Sequence, residues 1–187
     1  MLFFETERLR IRTYEERDCR DVTDYLSTWA VTGPLGTPPW PFFEKDARGF
    51  LVRMQKTYEA NAPEFFVIAD KESDKLLGGI GVHDEHTFAI RKNVAEVGYW
   101  LGLPHWHEGY LAEAMPPLLR YVFDTRPFNL LVATTDTDNY ASQRVLMRIG
   151  FICYGQKVPL EPPQRGSKEP TYWELEKEEF LAKEGAP

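Results

Sequence analysis

The sequence predicts an α/β protein with a mixed, mostly antiparallel twisted sheet flanked by helices. Three observations predict it. Short apolar runs of strand length alternate with longer stretches at helical spacing, in the order β-α-α-β-β-β-α-β-α-β-β, as in a sheet covered by helices. The 187 residues show no repeat and no linker, so a single domain over 1–187 is expected. Residues 96–114, EVGYWLGLPHWHEGYLAEA, read as a buried strand, a loop and the first turns of a helix.

Each element has its own signal. Over 7–13, Leu9 and Ile11 alternate with Arg8, Arg10 and Arg12, the pattern of a half-buried strand. Val22, Tyr25, Leu26 and Trp29 mark one face of a short helix starting near Asp18. Residues 31–42 hold Gly33, Pro34, Gly36, Pro38, Pro39 and Pro41 and predict neither helix nor strand. Ala47, Phe50, Leu51, Met54 and Tyr58 line a second helix ending near Asn61. Residues 64–69 and 76–83 read as a hairpin turned at Glu72-Ser73-Asp74, where Gly78, Gly79 and Gly81 allow close backbone approach. Residues 84–93 are polar and predict a turn. Val97 to Leu101 form the buried strand, stopped by Pro104.

Leu111, Met115, Leu118, Leu119, Val122 and Phe123 then recur with helical spacing. Pro116 and Pro117 lie past the first turn, where each costs about 3 kcal/mol, so a kink or break, or a helix displaced along the sequence, is expected. Residues 128–134 read as a strand. Residues 138–149 form a helix with Ala141, Val145 and Ile149 on one face, ended by Gly150. A strand over 151–158, a Pro-rich loop over 159–168 and a last strand over 170–175 follow. The acidic tail continues as helix or frays.

Composition bounds the function. A net charge of −7 argues against a nucleic-acid partner, which calls for a basic face, and is compatible with a cationic substrate. No apolar run approaches the ~20 residues that span a bilayer. Charges begin at Glu5 and no secretory pattern precedes them, so a reducing cytoplasm is expected. Cys19 and Cys153 form no disulfide framework, and Cys153, in an apolar run, reads as a buried small hydrophobe. No metal is expected, because His83 and His86 lack further ligands.

Two stretches carry chemistry. A strand feeding a loop and a helix N-terminus is suited to an anion, since the first helical amides lack partners within the helix and the dipole is positive there. Gly109 lets a phosphate approach the backbone. In the second stretch Asn139 caps a helix or reaches a ligand amide. Ser142 alone reads as a small residue packed on a neighbour.

Both stretches resemble the GNAT acyltransferases, most closely the RimJ/RimL-like branch that acetylates ribosomal-protein N-termini. That branch typically shows EIGYWL and then YWGKGYATEA; this chain has Glu96-Val97-Gly98-Tyr99-Trp100-Leu101 and then HWHEGYLAEA over 105–114. The opening ETERLRIR is also similar. Of the family's pyrophosphate signature, Arg/Gln-x-x-Gly-x-Gly/Ala, Trp106, Gly109 and Leu111 hold the fixed positions and only the central Gly is kept. His107 stands where Gly is usual and Glu108 where Lys is usual, which weakens the expected phosphate grip. Asn139 to Phe151 matches Asn-x-x-Ser-x-x-Val-Leu-x-x-x-Gly-Phe with the spacing intact. The resemblance covers about residues 5–176.

The resemblance implies the GNAT fold and acetyl-CoA as acyl donor. It implies cofactor contacts from Tyr99, Trp100, Leu101, Trp106, His107, Glu108, Gly109, Tyr110, Leu111, Ala112, Asn139 and Ser142. Asn139 would hold the pantetheine arm and Ser142 would face the sulfur. The strand holding Gly98 would splay from its neighbour, freeing amides for the acyl carbonyl. The Tyr that commonly protonates the thiolate is here Leu146, which leaves Ser142, another Tyr or water. The helix-loop-helix over the acceptor end brings Trp40, Phe42 and Phe43 either to a pocket wall or to the anchoring of a long loop.

Glu96 is the candidate base, directly or through water; the alternatives are His83 or His86 as base, and Glu96 as an exposed strand-end carboxylate. Glu96 and Ser142 are expected to point into one cleft, with Trp40, Phe42, His83 and Glu96 toward the acceptor. His105 and His107 are expected on the phosphate side. The leading reading is an N-acetyltransferase acting on a small-molecule amine or a protein N-terminus, as monomer or homodimer. Its alternatives are a CoA-binding partner or sensor module on the same fold, and an acyltransferase using a longer acyl-CoA.

Overall fold

A computed structural model of the chain describes residues 2–84, 93–155 and 170–184. Among these the sheet has eight strands: β1 (Leu2–Glu5), β2 (Leu9–Arg12), β3 (Phe65–Asp70), β4 (Leu76–Asp84), β5 (Val94–Leu101), β6 (Leu130–Asp136), β7 (Ile152–Gly155) and β8 (Pro170–Glu176). Their order across the sheet is β1-β2-β3-β4-β5-β6-β8-β7. Neighbours are antiparallel except β5 and β6, which run parallel. Helices α1 (Cys19–Leu26) and α3 (Glu44–Glu59) cover one face, with the short α2 (Trp29–Thr32) beside α1. Helices α4 (Tyr110–Thr125), α5 (Tyr140–Ile149) and α6 (Lys177–Glu184) cover the other.

Strand alternation builds the two cores. Ile80, Val82, Val97, Leu101, Leu131 and Ala133 pack with Met115, Leu118, Leu119 and Phe123 of α4 and with Leu146 of α5. Val67, Ala69 and Leu76 turn the other way, toward Val22, Leu26, Ala47, Leu51 and Met54. The hairpin turn falls where it is predicted. The Asp70 carboxylate accepts from the Ser73 amide and hydroxyl, at 2.8 and 2.6 Å, and Asp74 takes a left-handed φ of 57°.

The structure departs from the sequence reading at four points. Leu2–Glu5 adds an edge strand that no long periodic run announces. Trp29 opens a separate turn of helix rather than extending α1. Helix α4 runs unbroken through Pro116 and Pro117. Both prolines are half-buried on the outward side, while Met115, Leu118 and Leu119 beside them are fully buried. A buried Leu or Met contributes about 1.5–3 kcal/mol, so several of them outweigh two proline penalties. Cys153 is exposed, because β7 is the last strand of the sheet and none of its residues is buried; Cys19 is the buried cysteine. Most of the predicted 84–93 turn with His86, all of the 159–168 loop and the end of the 151–158 strand lie outside the described residues.

One buried ion cluster ties α1 to the sheet. Arg12 of β2, 4% exposed, donates to both Asp18 oxygens at 2.8 Å and to Asp74 Oδ1 at 3.0 Å. Asp18 also accepts from the Glu15 amide at 2.8 Å. Burial alone would lower the Arg12 pKa, but hydrogen bonds and charge from Asp18 and Asp74 outweigh it and raise it. Removing one partner leaves a buried charge short of its counterion. Asp18→Ala is expected to cost about 3 kcal/mol, because Asp74 still holds the guanidinium Nε. Asp24→Ala, which breaks the exposed Arg20–Asp24 pair, should stay within about 0.5 kcal/mol. Equilibrium urea unfolding compares the two, and equal midpoints would remove the cluster from its structural role.

Candidate active site

The parallel ladder between β5 and β6 is short. Val94 pairs with Leu130, Ala95 with Leu131 and Glu96 with Val132, and the pairing stops there. Both strands continue, β5 to Leu101 and β6 to Asp136. Each keeps its outer neighbour throughout: β4 pairs with β5 as far as Leu101, and β8 with β6 as far as Asp136. Beyond Glu96 the two inner edges therefore part. Backbone polar groups along 97–101 face that parting with no ladder partner on β6.

Glu96 and Ser142 do not share a face of the sheet, contrary to expectation. The reason is strand period. Glu96 and Tyr99 are three residues apart on β5 and so point to opposite sides. Glu96 shares its side with His83, whose Nε2 lies 3.7 Å from Glu96 Oε2 and whose ring stacks on Phe65 at 5.5 Å. The Thr134 hydroxyl donates to Glu96 Oε1 at 3.1 Å. Tyr99 turns toward the α4 and α5 side, where its hydroxyl meets Ser142 Oγ at 2.7 Å. Tyr99 belongs to β5 and Ser142 to the helix after β6, so this bond spans the parting. Burial raises the Tyr99 pKa, and the hydrogen bond to Ser142 offsets only part of it.

Asn139 caps α5, its side-chain oxygen accepting from the Ser142 amide at 3.2 Å. That bond fixes Ser142 in the first turn of the helix. Leu146 is fully buried in the core. Trp100 is on the Glu96 side. A side chain at Gly79 would put its Cβ 2.1 Å from the Tyr14 hydroxyl and 2.7 Å from Trp100 Nε1, so residue 79 has room for glycine alone.

The loop into α4 is held from within. The Trp106 indole donates to the Leu101 carbonyl at 2.9 Å and packs against both cores. His107 and Gly109 both take left-handed backbone, with φ of 66° and 79°. Gly109 is the residue before the first turn of α4, and His107, Glu108 and Gly109 are all exposed. The amides of Tyr110, Leu111 and Ala112 thus stand at the positive end of a 16-residue helix. His105 is committed elsewhere: its Nε2 lies 2.9 Å from the Tyr25 hydroxyl, and burial lowers its pKa.

Of the aromatic residues read as a pocket wall or loop anchor, Phe42 is 5% exposed and anchors its loop in the α1–α3 core. Trp40 is exposed and meets Trp29 edge-on at 4.8 Å. A cavity of about 380 Å³ opens beside that pair, lined by Trp29, Gly33 and Pro34 on one side and Asp136, Thr137 and Asp138 on the other. Among the described residues no group of three His, Cys, Asp or Glu is arranged to hold a metal ion, and no helix is long and apolar enough to cross a membrane.

Residues 8–152 match the family model described as acetyltransferase (GNAT) domain. The chain is similar to the uncharacterized N-acetyltransferase YnaD of Bacillus subtilis, with 32% identity over 149 residues, 78% of this chain and 80% of that one. Its fold is similar to that of a GNAT-family acetyltransferase from Bacillus anthracis, at TM-score 0.76 and 23% identity, covering 96% of this chain and 100% of the other. It is also similar to that of RimL, the ribosomal L7/L12 alpha-N-protein acetyltransferase, in complex with coenzyme A, at TM-score 0.73 and 14% identity, covering 94% and 98%.

The Tyr99–Ser142 bond is open to a direct stability test. Ser142→Ala strands the Tyr99 hydroxyl and is expected to cost about 1 kcal/mol. Tyr99→Phe/Ser142→Ala removes both hydroxyls and should cost less than the two single changes added together. Strict additivity in urea unfolding would show that the two hydroxyls do not interact.

Proposed function

Because the chain belongs to the GNAT acetyltransferase family, we propose that it transfers the acetyl group of acetyl-CoA directly to a primary amine, of a small molecule or a protein N-terminus. The observation that carries this reading is the parting of β5 from β6 beyond Glu96 and Val132. It opens a slot through the sheet, bordered by Glu96 on one face and by Tyr99 and Ser142 on the other. Two faces meeting at one slot let a donor come from one side and an acceptor from the other.

The residues fit the donor. Backbone amides along 97–101 are free of a β6 ladder and suit a thioester carbonyl oxygen. Tyr99, Trp100 and Leu101 border the slot, and Asn139 and Ser142 begin the helix beside it. Gly109 leaves backbone accessible to a pyrophosphate: among the described residues beyond its chain neighbours, Arg8 Nη2, at 3.8 Å, is what lies within 4 Å of where its Cβ would be. Trp106, His107, Glu108, Tyr110, Leu111 and Ala112 complete that loop. Exposed Glu108 keeps its carboxylate toward water, which reduces its repulsion of phosphate. Bound acetyl-CoA would supply an activated acyl group and a thiolate leaving group.

The amine nitrogen bonds to the acyl carbon as the carbon–sulfur bond breaks. One proton must leave nitrogen and one must reach sulfur. Glu96 takes the first, directly or through water, with His83 beside it on the same face. Ser142 donates a hydrogen bond to the departing sulfur, and water supplies the proton that the thiolate takes up. Tyr99, its pKa raised by burial, keeps its proton and orients the Ser142 hydroxyl. The cavity beside Trp29, with exposed Asp138 on its wall, supports a cationic acceptor. RimL, the structural neighbour described as an alpha-N-protein acetyltransferase, supports a protein α-amine as one such acceptor. An α-amine, with pKa ~7.7–8.0, is already partly neutral near pH 7, whereas a lysine-like amine at ~10.4 depends more on Glu96.

Glu96→Gln keeps shape and removes the base. It is expected to lower kcat on the order of a hundredfold at neutral pH with little change in acetyl-CoA affinity. The loss should shrink as pH rises and the amine deprotonates itself. Thiol release across a panel of amines and peptides reads the rate. Parent-like turnover by Glu96→Gln on every acceptor would overturn its role as base. The cofactor assignment has its own check: acetyl-CoA at 100 times its Kd should add about 2.7 kcal/mol of stability.

A further inference from the structure

The loop that would meet the pyrophosphate is latched from a distant strand by a single arginine. Arg8 stands just before β2, whose Leu9 and Ile11 are fully buried. Its backbone amide donates to Glu113 Oε1 at 2.9 Å and its Nε to Glu113 Oε2 at 2.7 Å. Its Nη2 lies 2.7 Å from the same Oε2 and donates to the Glu108 carbonyl at 3.1 Å. Its guanidinium carbon sits 4.7 Å from the centroid of the Tyr110 ring. The Thr6 hydroxyl also donates to Glu113 Oε1. One side chain therefore grips residues 108, 110 and 113, on both sides of Gly109.

That grip answers a problem set by the loop itself. His107 and Gly109 both hold positive φ, which is uncommon for a non-glycine residue such as His107. Glu108 brings a negative charge to the same turn. The Trp106 indole bond holds the start of this loop, and the Arg8 contacts hold its later part, residues 108–113. Arginine suits the task because its planar fork donates in several fixed directions at once; a lysine ammonium is a point charge on a flexible stem. Burial pushes the Glu113 carboxyl up, but hydrogen bonds from Thr6 and Arg8 more than offset it and hold the carboxyl below its ordinary range. Glu113 thus stays ionised and the latch stays closed at neutral pH.

We infer that Arg8 is a positioning residue for the cofactor loop, fixing residues 108–113 so that the first amides of α4 face the phosphates. The consequence for the cofactor rests on the acetyl-CoA reading above; the latch itself does not. The Arg8 side chain is 44% exposed, so its ion pair adds little to global stability. Its effect is local order.

The test uses the full chain as Arg8→Met, Arg8→Lys and Glu113→Gln. Amide hydrogen exchange without ligand is read at the Trp106 and Glu113 amides, which are bonded to the Leu103 and Gly109 carbonyls. Arg8→Met should speed exchange there on the order of tenfold, the worth of a charge-assisted hydrogen bond, while the amides of β3 and α5 keep the parent rate. Arg8→Lys should restore little of it, and Glu113→Gln should loosen the same amides from the other partner. In turnover, Arg8→Met should raise the acetyl-CoA KM by a similar factor and leave kcat near the parent value. Loop exchange at the parent rate in Arg8→Met overturns the latch. So does full rescue by Arg8→Lys, or a kcat loss at unchanged KM. Were the parent to bind no acetyl-CoA, the proposed function would fail while the exchange data still decided the latch.

Discussion

Everything about this molecule that bears on its chemistry depends on where two parallel strands stop pairing. β5 and β6 share three residue pairs, ending at Glu96 and Val132. Each strand is secured on its outer side, so the inner edges can part without unravelling the sheet. The gap has to be kept from closing and from widening. Tyr99 and Ser142 tie its two sides together on the α4–α5 face. The Trp106 indole holds the Leu101 carbonyl at its wide end. A full ladder would satisfy the same backbone groups and leave no room for a ligand.

The helices set up what the gap can do. α4 begins at Gly109 in left-handed backbone and continues through two prolines, because the side chains it buries outweigh the hydrogen bonds it forgoes. The α1–α3 layer leans on the other face and is locked to the sheet by the Arg12–Asp18–Asp74 cluster. Glu96 lies on the α1–α3 face, beside His83, and the Tyr99–Ser142 pair lies on the face of α4 and α5. In the proposed reaction the first takes the amine proton and the second meets the departing sulfur.

Much of this is legible in the sequence, for reasons that differ by element. Periods of 2 and 3.6 mark most strands and helices because each buries one face. Asn139 and Gly150 mark the ends of α5 through their own local chemistry. The opposed directions of Glu96 and Tyr99 were also in the text, since a spacing of three on a strand reverses the face. What local pattern does not carry is anything decided across the fold. Leu146 reads as a lost acid, and only packing shows it to be core. Cys153 reads as buried, and only the strand order makes its strand an edge. Pro116 and Pro117 read as a break until the burial around them is weighed. Arg8 and Glu113 are 105 residues apart, and each alone is an ordinary surface charge.

The most direct test of the account is a crystal structure of the chain with coenzyme A bound. The pantetheine arm should run between 97–101 and 133–136, hydrogen-bonded to β5 backbone. Its sulfur should lie within reach of the Ser142 hydroxyl, its pyrophosphate on the amides that follow Gly109, and Glu96 across the sheet facing the sulfur. Coenzyme A seated elsewhere, or a β5–β6 ladder closed beyond Glu96 and Val132 with the cofactor outside it, would contradict the account.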